Sequence, residues 1–419
     1  MNYYNPYYDE IKDDRIEIVF ENTINDLKFI KGILHPKDLY NCPDCGSINC
    51  IKYGKKTKKI TIDVFKHYKT IFILDVNRFK CKDCLRLFID STELVSSNSS
   101  ISYQTKFSIL EDLRNDVSFS YVAKNNNVST QSVINLFSST INLSRNKLSE
   151  VMCFDEFKNL KSAKGKYAFL ILNPLNSKIV DILPDRRLIN LEKYFVSISK
   201  DERNGVKYII TDMYEGYRTI AKYYFPNATH IVDRFHYIRY VTDAFNNVRI
   251  KIQANYNTKS YEYKTLKRYW KYFLKDVKDL DSELIYDYKS KAKLEKYKVI
   301  ENALEFNNTL LDAYSILQDF YILANDTKYE DANLELDLLI NELEESNIDE
   351  FNKLSGMIKN WKVEIINSFI RFGDKRLSNG PIEGMNNHIK TIKKVGFGFK
   401  TFSLFRNRLM YIINKPKIK

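Results

Sequence analysis

The sequence predicts a multidomain α/β protein, and three observations predict it. The chain has 419 residues, longer than one small folding unit. Two Cys-x-x-Cys pairs, Cys42-Pro-Asp-Cys45 and Cys81-Lys-Asp-Cys84, bracket alternating β-type runs near the front. From about residue 150 the apolar pattern reads strand, strand, strand, helix, strand, helix, strand, and residues 234–375 then read as mostly helical. Hydrophobic residues make up 44% of the chain and aromatics 14%, enough for a sizeable core and too many for a disordered chain.

A net charge of +13 points to a polyanionic partner, of which nucleic acid is the commonest. Abundant Lys, Asn and Ile also fit the drift of an A+T-rich genome, so charge alone does not decide the matter. No run of about 18 apolar residues occurs, so no membrane partner is expected. Met1-Asn-Tyr-Tyr-Asn-Pro-Tyr-Tyr-Asp-Glu has neither the basic region nor the apolar stretch of a signal peptide. A cytoplasmic protein is expected, whose cysteines serve as thiols or metal ligands rather than disulfides.

At the front, residues 15–21, 59–65 and 70–76 alternate and read as strands. Four thiolates from two Cys-x-x-Cys knuckles, Cys42, Cys45, Cys81 and Cys84, close a tetrahedral sulfur site that suits one structural zinc. Gly46 helps the first knuckle turn. Buried free thiols or a redox pair are the alternatives, and the flanking β-type runs favour zinc. Cys50 and His67 read as bystanders, and Cys153 as a core residue on a strand.

Ser96-Ser-Asn-Ser-Ser100 reads as a linker, and Ser118–Phe137 fits a helix-turn-helix. Val122 and Ala123 face inward on the first helix. Asn127 sits where the turn needs a left-handed residue. Ser129 is the expected N-cap, and Val128, Val133 and Leu136 supply the second helix's apolar face. Thr130, Gln131, Ser132 and Asn135 would then face the major groove, where their donors and acceptors suit base edges. An ordinary helical hairpin fits the same pattern.

Three carboxylates stand out by position. Asp155 ends or follows the first strand of the α/β region, Asp212 ends the run Val206–Asp212, and Glu383 follows the Ser378-Asn-Gly-Pro381 break in a last helix. An acidic residue ending an apolar strand is displayed at the sheet edge, where chemistry can reach it. On the last helix Glu383, Asn387, Lys390 and Lys394 share one face, and Ile382, Met385, Ile389 and Ile392 the other. Three converging carboxylates repel unless cations intervene. Two Mg²⁺ (or Mn²⁺) ions suit oxygen ligands and activate a water or hydroxyl beside a phosphodiester. The competing role for Asp212 is a cap for the helix that follows. Glu156 neighbours Asp155 on the strand and is expected to point the opposite way. Further on, Leu310, Tyr314, Leu317 and Tyr321 share a helical face, as do Leu336, Leu339, Ile340 and Leu343.

From about residue 40 to 415 the chain resembles bacterial insertion-sequence transposases of the ISL-three type. The resemblance rests on the cysteine pairs with Arg78-Phe-Lys-Cys-Lys-Asp-Cys84, on Phe154-Asp-Glu-Phe157, Thr211-Asp-Met-Tyr214 and Asp233-Arg-Phe-His236. It continues through Asn379-Gly-Pro-Ile-Glu-Gly-Met-Asn-Asn387, Ile389-Lys-Thr-Ile-Lys393 and Gly396-Phe-Gly-Phe399. It implies a zinc ribbon with an N-terminal segment in residues 1–95 and a helix-turn-helix domain in 100–148. An RNase H-like catalytic core would use 149–239 and 376–415, interrupted by a large α-helical insertion at 240–375. Asp155, Asp212 and Glu383 are the implied catalytic residues and Mg ligands. Asp233, His236 and Asn387 are accessory candidates, and Lys390 and Lys394 are candidate DNA contacts. Trp270 and Trp361 are candidates for stacking on bases or for packing. The implied activity is binding of terminal inverted repeats in double-stranded DNA, cleavage and strand transfer, by a homodimer that associates with the bacterial nucleoid. The alternatives are a domesticated or inactive DNA-binding regulator, and a nuclease without strand transfer. Residues 1–40 match no motif.

The cysteine pattern carries one direct test. Metal analysis of the purified protein is expected to find about one zinc per chain. Zinc-free protein whose four thiols all titrate freely with a thiol reagent would refute the site.

Overall fold

The computed structural model describes residues 11–25, 27–62, 69–287, 289–396 and 398–416. His67 and the end of the 59–65 run lie outside the described residues. The chain divides into two compact units, Met1–Ser144 with Asn387–Lys419, and Arg145–Asn386.

The first unit begins with strands β1 (Ile16–Ile24), β2 (Leu27–Leu34), β3 (Cys50–Thr61), β4 (Lys69–Cys81) and β5 (Leu87–Ile89). They form one sheet in the order β1-β2-β4-β3, with β5 pairing β4. The β2–β4 pair is parallel and the other pairs antiparallel. Ile16, Ile30, Leu34, Phe72 and Leu74 form its core. β2 escapes a period-2 reading because Lys28 and Gly32 occupy inward positions. Lys28 is neutralised there by Glu21. A Cβ on Gly32 would stand 2.8 Å from the Phe72 ring, so the sheet core approaches bare backbone at that point. Cys50 opens β3 opposite Cys81 at the end of β4, which places both cysteine pairs at one end of the sheet.

Helices α1 (Tyr103–Asp112), α2 (Phe119–Asn125) and α3 (Thr130–Thr140) follow, capped by Ser102, Ser118 and Ser129. Asn127 takes φ 55° in the turn between α2 and α3. Phe137 and Val133 are the fully buried residues of α3, whereas Leu136 is half-buried. The cover comes from the far end of the chain. Helix α16 (Phe402–Asn414) sets Tyr411 against Phe137, with ring centroids 5.5 Å apart, and donates its hydroxyl to Leu110 O at 3.0 Å. Arg408, 2% exposed, donates to the carbonyls of Asn115 (3.1 Å) and Val117 (3.0 Å) and spreads over the Phe119 and Phe137 rings. Residues 376–415 were expected to belong wholly to the catalytic core. Asn387–Lys419 instead group with the N-terminal residues, and Phe405, Leu409, Met410 and Ile412 of α16 are buried.

The second unit is built on strands β6 (Val151–Lys158), β7 (Tyr167–Asn173), β8 (Lys178–Leu183), β9 (Tyr208–Thr211) and β10 (Thr229–Val232), in the order β10-β9-β6-β7-β8. The pairs β6–β7 and β7–β8 are antiparallel; β6–β9 and β9–β10 are parallel. Helices α4 (Leu188–Val196), α5 (Lys200–Asn204) and α6 (Glu215–Tyr224) accompany the sheet, where Phe154, Phe169, Phe195, Tyr217 and Phe225 share an aromatic core. Cys153 is fully buried, as a core residue should be.

Beyond β10 the chain turns helical, with α7 (Arg234–Ala254), α8 (Tyr261–Arg268), α9 (Trp270–Phe273), α10 (Lys296–Leu304), α11 (Asn308–Asp326), α12 (Ala332–Glu345), α13 (Asp349–Asn360) and α14 (Lys362–Asn367). The two expected apolar faces are buried in one continuous core, with Tyr321 at its edge. Trp361 is 4% exposed beneath the Arg218 guanidinium, 3.6 Å away, so it packs and has no face left for a base. Trp270 is 38% exposed. No helix among the described residues is long and apolar enough to cross a membrane. Helix α15 (Gly380–Val395) closes the second unit at Asn386 and continues into the first.

Candidate metal centres and the acidic site

The cysteine site is made by two knuckles of matching construction. The Cys42 N–H donates to Ser47 O at 2.8 Å, and the Cys81 N–H to Arg86 O at 2.9 Å. In each, the residue after the second cysteine is left-handed: Gly46 at φ 73° and Leu85 at φ 60°. Asp83 ties one knuckle to the other by accepting from the Ser47 hydroxyl and from the Asn49 amide at 3.0 Å. Cys42 Sγ then lies 3.4 Å from Cys84 Sγ, and Cys45 Sγ 3.6 Å from Cys81 Sγ. Sulfurs held by a tetrahedral zinc at about 2.3 Å would stand about 3.8 Å apart, so the four fit one ion. The backbone N–H groups of Cys84 and Asp83, pointed at Cys81 Sγ, bring that thiol down to about 7, towards the thiolate a metal requires. Cys50 stands outside the four and turns towards Ser47 O at 3.5 Å.

The acidic site begins where strand pairing stops. β6 pairs with β9 only through Cys153, opposite Ile210, so Asp155 and Glu156 lie past the paired stretch on that side. Asp212 lies one residue past β9. Carboxylate oxygens of Asp155, Glu156 and Asp212 come within 4.8 Å of one another. Glu156 was expected to point away from Asp155 and does not. Its longer arm reaches round and is held by Arg186 and by the Tyr217 hydroxyl at 2.6 Å, while Asp155 folds back to accept the Glu156 N–H at 2.7 Å. Asp212 caps no helix: Tyr214 occupies the N-cap of α6, and Asp212 Oδ1 is buried without a hydrogen-bond partner. A buried carboxylate oxygen without a hydrogen-bond partner has lone pairs free for a cation.

Burial pushes both aspartates up to about 7. For Asp155, Asp212 and Glu156 add to the rise, against the Glu156 N–H and His236. For Asp212, Glu156 and Asp233 add to it, against Arg186.

Glu383 is exposed on α15 and groups with Asp233 and His236, again within 4.8 Å. The structure thus brings Asp155 and Asp212 together, and sets Glu383 in a second group. Two bonds join the groups. The Asp233 N–H donates to Thr211 O at 2.9 Å, beside Asp212, and Asn386, one turn along α15 from Glu383, donates to Asp155 Oδ2 at 2.6 Å. Asp233 is also the N-cap of α7 and takes the Asn379 N–H at 2.8 Å, so its capping role and its place in the group hold together. Asn387 is exposed and accepts from Lys390 Nζ at 3.3 Å; the asparagine that meets Asp155 is Asn386. A helical wheel centred on Glu383 includes position 386, so this partner had a signal. Arg186 and Tyr217 had none, because their reach depends on where β8 and α6 end.

On α3, Thr130, Gln131 and Asn135 are exposed. Gln131 donates to Asn135 Oδ1 at 2.7 Å, and half-buried Ser132 pairs with the Ser129 hydroxyl at 2.8 Å. Lys390 and Lys394 are exposed on α15.

Comparison with known proteins agrees with this geometry. A family model described as Transposase, of the DDE class and ISL-three type, matches residues 152–409, more than half of the chain. The chain belongs to this family of transposases. The family implies an RNase H-like core, nuclease and transposition activity and divalent-metal use, and the matched span holds β6–β10 and both acidic groups. One curated protein, named ATP-dependent protease, from Lactococcus lactis subsp. lactis, is 28% identical over 124 residues, 29% of this chain. The match covers 36% of that protein's length and carries no activity across.

The raised aspartates set a pH dependence. Between the ordinary carboxyl value near 4 and about 7 the unfolded chain holds fewer protons than the folded one, so stability falls as pH rises through that window. Without added magnesium, Asp212→Asn is expected to melt about 2–4 °C above the wild type at pH 8, for a gain of about 1 kcal/mol. The gap should close towards pH 4. Melting curves that run parallel from pH 4 to pH 8 would refute the shift.

Proposed function

We propose that this protein cuts and joins DNA at the ends of a mobile element, with Asp155, Asp212 and Glu383 as catalytic residues. The observation that carries the proposal is the buried, unpartnered Asp212 Oδ1 beside Asp155 at the open end of the sheet. The zinc ribbon within residues 1–95 and the helix-turn-helix within 100–148 bind the terminal inverted repeats. Thr130, Gln131, Ser132 and Asn135 read base edges there, and Lys390 and Lys394 contact phosphates. Residues 149–239 with α15 form the catalytic core, residues 240–375 the helical insertion, and two copies pair two ends.

Asp155, Asp212 and Glu383 would hold two Mg²⁺ or Mn²⁺ ions, and Glu156, Asp233 and His236 stand within reach of the same positions. When bound, the ions neutralise the carboxylates and make a water, then a freed 3′-hydroxyl, nucleophilic at neutral pH. The chain's own residues do the positioning. Asn386 fixes Asp155 Oδ2, and Arg186 and Tyr217 fix Glu156, so Asp212 Oδ1 keeps its free lone pairs.

Asp212→Asn is expected to abolish cleavage of a duplex carrying the element end while leaving its binding nearly intact. Asn386→Ala should lower cleavage by about 10–100-fold, with partial recovery at high magnesium. Nicking and plasmid-joining assays on the same duplex read both steps. Full cleavage by Asp212→Asn would overturn the site. Cleavage without joining would make the protein a nuclease, and binding without cleavage by the wild type would make it a regulator.

A further inference from the structure

A cleft of about 620 Å³ opens in the helical part of the second unit. Lys259, Lys264, Lys267, Arg268 and Lys289 rim it, and no carboxylate is among its described lining residues. Tyr261 and Tyr269 form its wall. Asp287 is 2% exposed and engaged by the Tyr261 hydroxyl (2.5 Å) and the Ser290 N–H (2.8 Å).

The lysines of this rim differ from others in the helical part of the second unit. Lys251, Lys278, Lys296 and Lys362 each pair with a carboxylate, on Glu350, Asp326, Asp281 and Asp337 respectively. Among the described residues Lys259, Lys264, Lys267 and Lys289 have no ion-pair partner. Like charges gathered without counter-charges are destabilising unless a polyanion covers them. Trp270 follows Tyr269 directly in the chain and is 38% exposed, with Lys271 Nζ 5.7 Å from its ring. An exposed indole one residue along the chain from the cleft wall offers a face on which a nucleobase can stack. That face is of use only to a base not already stacked in a duplex.

We propose that this cleft binds an unpaired DNA strand, with phosphates on Lys259, Lys264, Lys267 and Lys289 and a base on Trp270. The proposal rests on the function given above, in which cleavage frees such a strand. The test uses the full-length, zinc-loaded protein and oligo-dT of about 12 nucleotides. The chain has two tryptophans, so its fluorescence reports few positions. Oligo-dT should quench it, and Trp270→Phe should remove the quench, because Trp361 is covered. Lys264→Glu with Lys267→Glu should weaken oligo-dT binding about tenfold or more and reduce its log–log salt slope by about 1.4. Binding to the element-end duplex should not change, and the melting temperature controls for folding. A quench that survives Trp270→Phe, or oligo-dT affinity untouched by the double substitution, would overturn the proposal. Quenching by duplex but not by oligo-dT would overturn it equally. Loss of end binding by the wild type, with oligo-dT binding intact, would instead count against the proposed function and leave the cleft standing.

Discussion

Repulsion between carboxylates is the constraint on which the second unit turns. Asp155, Glu156 and Asp212 crowd one half-buried position, and burial alone already opposes the ionisation of the two aspartates. The neighbours relieve only part of this. Arg186 and Tyr217 engage Glu156, Asn386 engages Asp155, and Asp212 Oδ1 is left with nothing. A fold under selection for stability alone would replace one of these acids with an amide. The acids stand beside the almost wholly apolar strand β7, and the divalent metal that the family implies would supply the counter-charge they lack.

The sheet topology explains why these residues meet. β6, β9 and β10 run parallel, so their C-terminal ends lie on one edge. Asp155 lies within β6 two residues past its pairing with β9, Asp212 follows β9 and Asp233 follows β10. Functional groups in such sheets collect outside the carboxyl ends of parallel strands. Helix α15 then brings Glu383 to Asp233 and Asn386 to Asp155, two contacts from one face of a single helix.

Much of this was legible before any coordinates. The strand and helix order read from about residue 150 appears in the fold, because fully buried strands leave unbroken apolar runs. Asp212 was visible as an acid closing such a run. Glu156 was misread because alternation fixes the direction of Cβ and not the reach of a three-carbon arm. β2 was missed because Lys28 and Gly32 face inward, one neutralised by Glu21 and the other making room for Phe72. The partner of α16 could not be read at all, since an amphipathic face records that something covers it and not what.

The packing of α16 on α1–α3 has a consequence for the order of events during synthesis. Residues 103–140 leave the ribosome before residues 402–414, yet one edge of the Phe137 ring and the Val117 carbonyl find partners in α16. A chain without α16 therefore lacks the Tyr411 ring against Phe137 and the Arg408 donors to the Asn115 and Val117 carbonyls. Helices α1–α3 are therefore expected to reach their final packing only after α16 has been made.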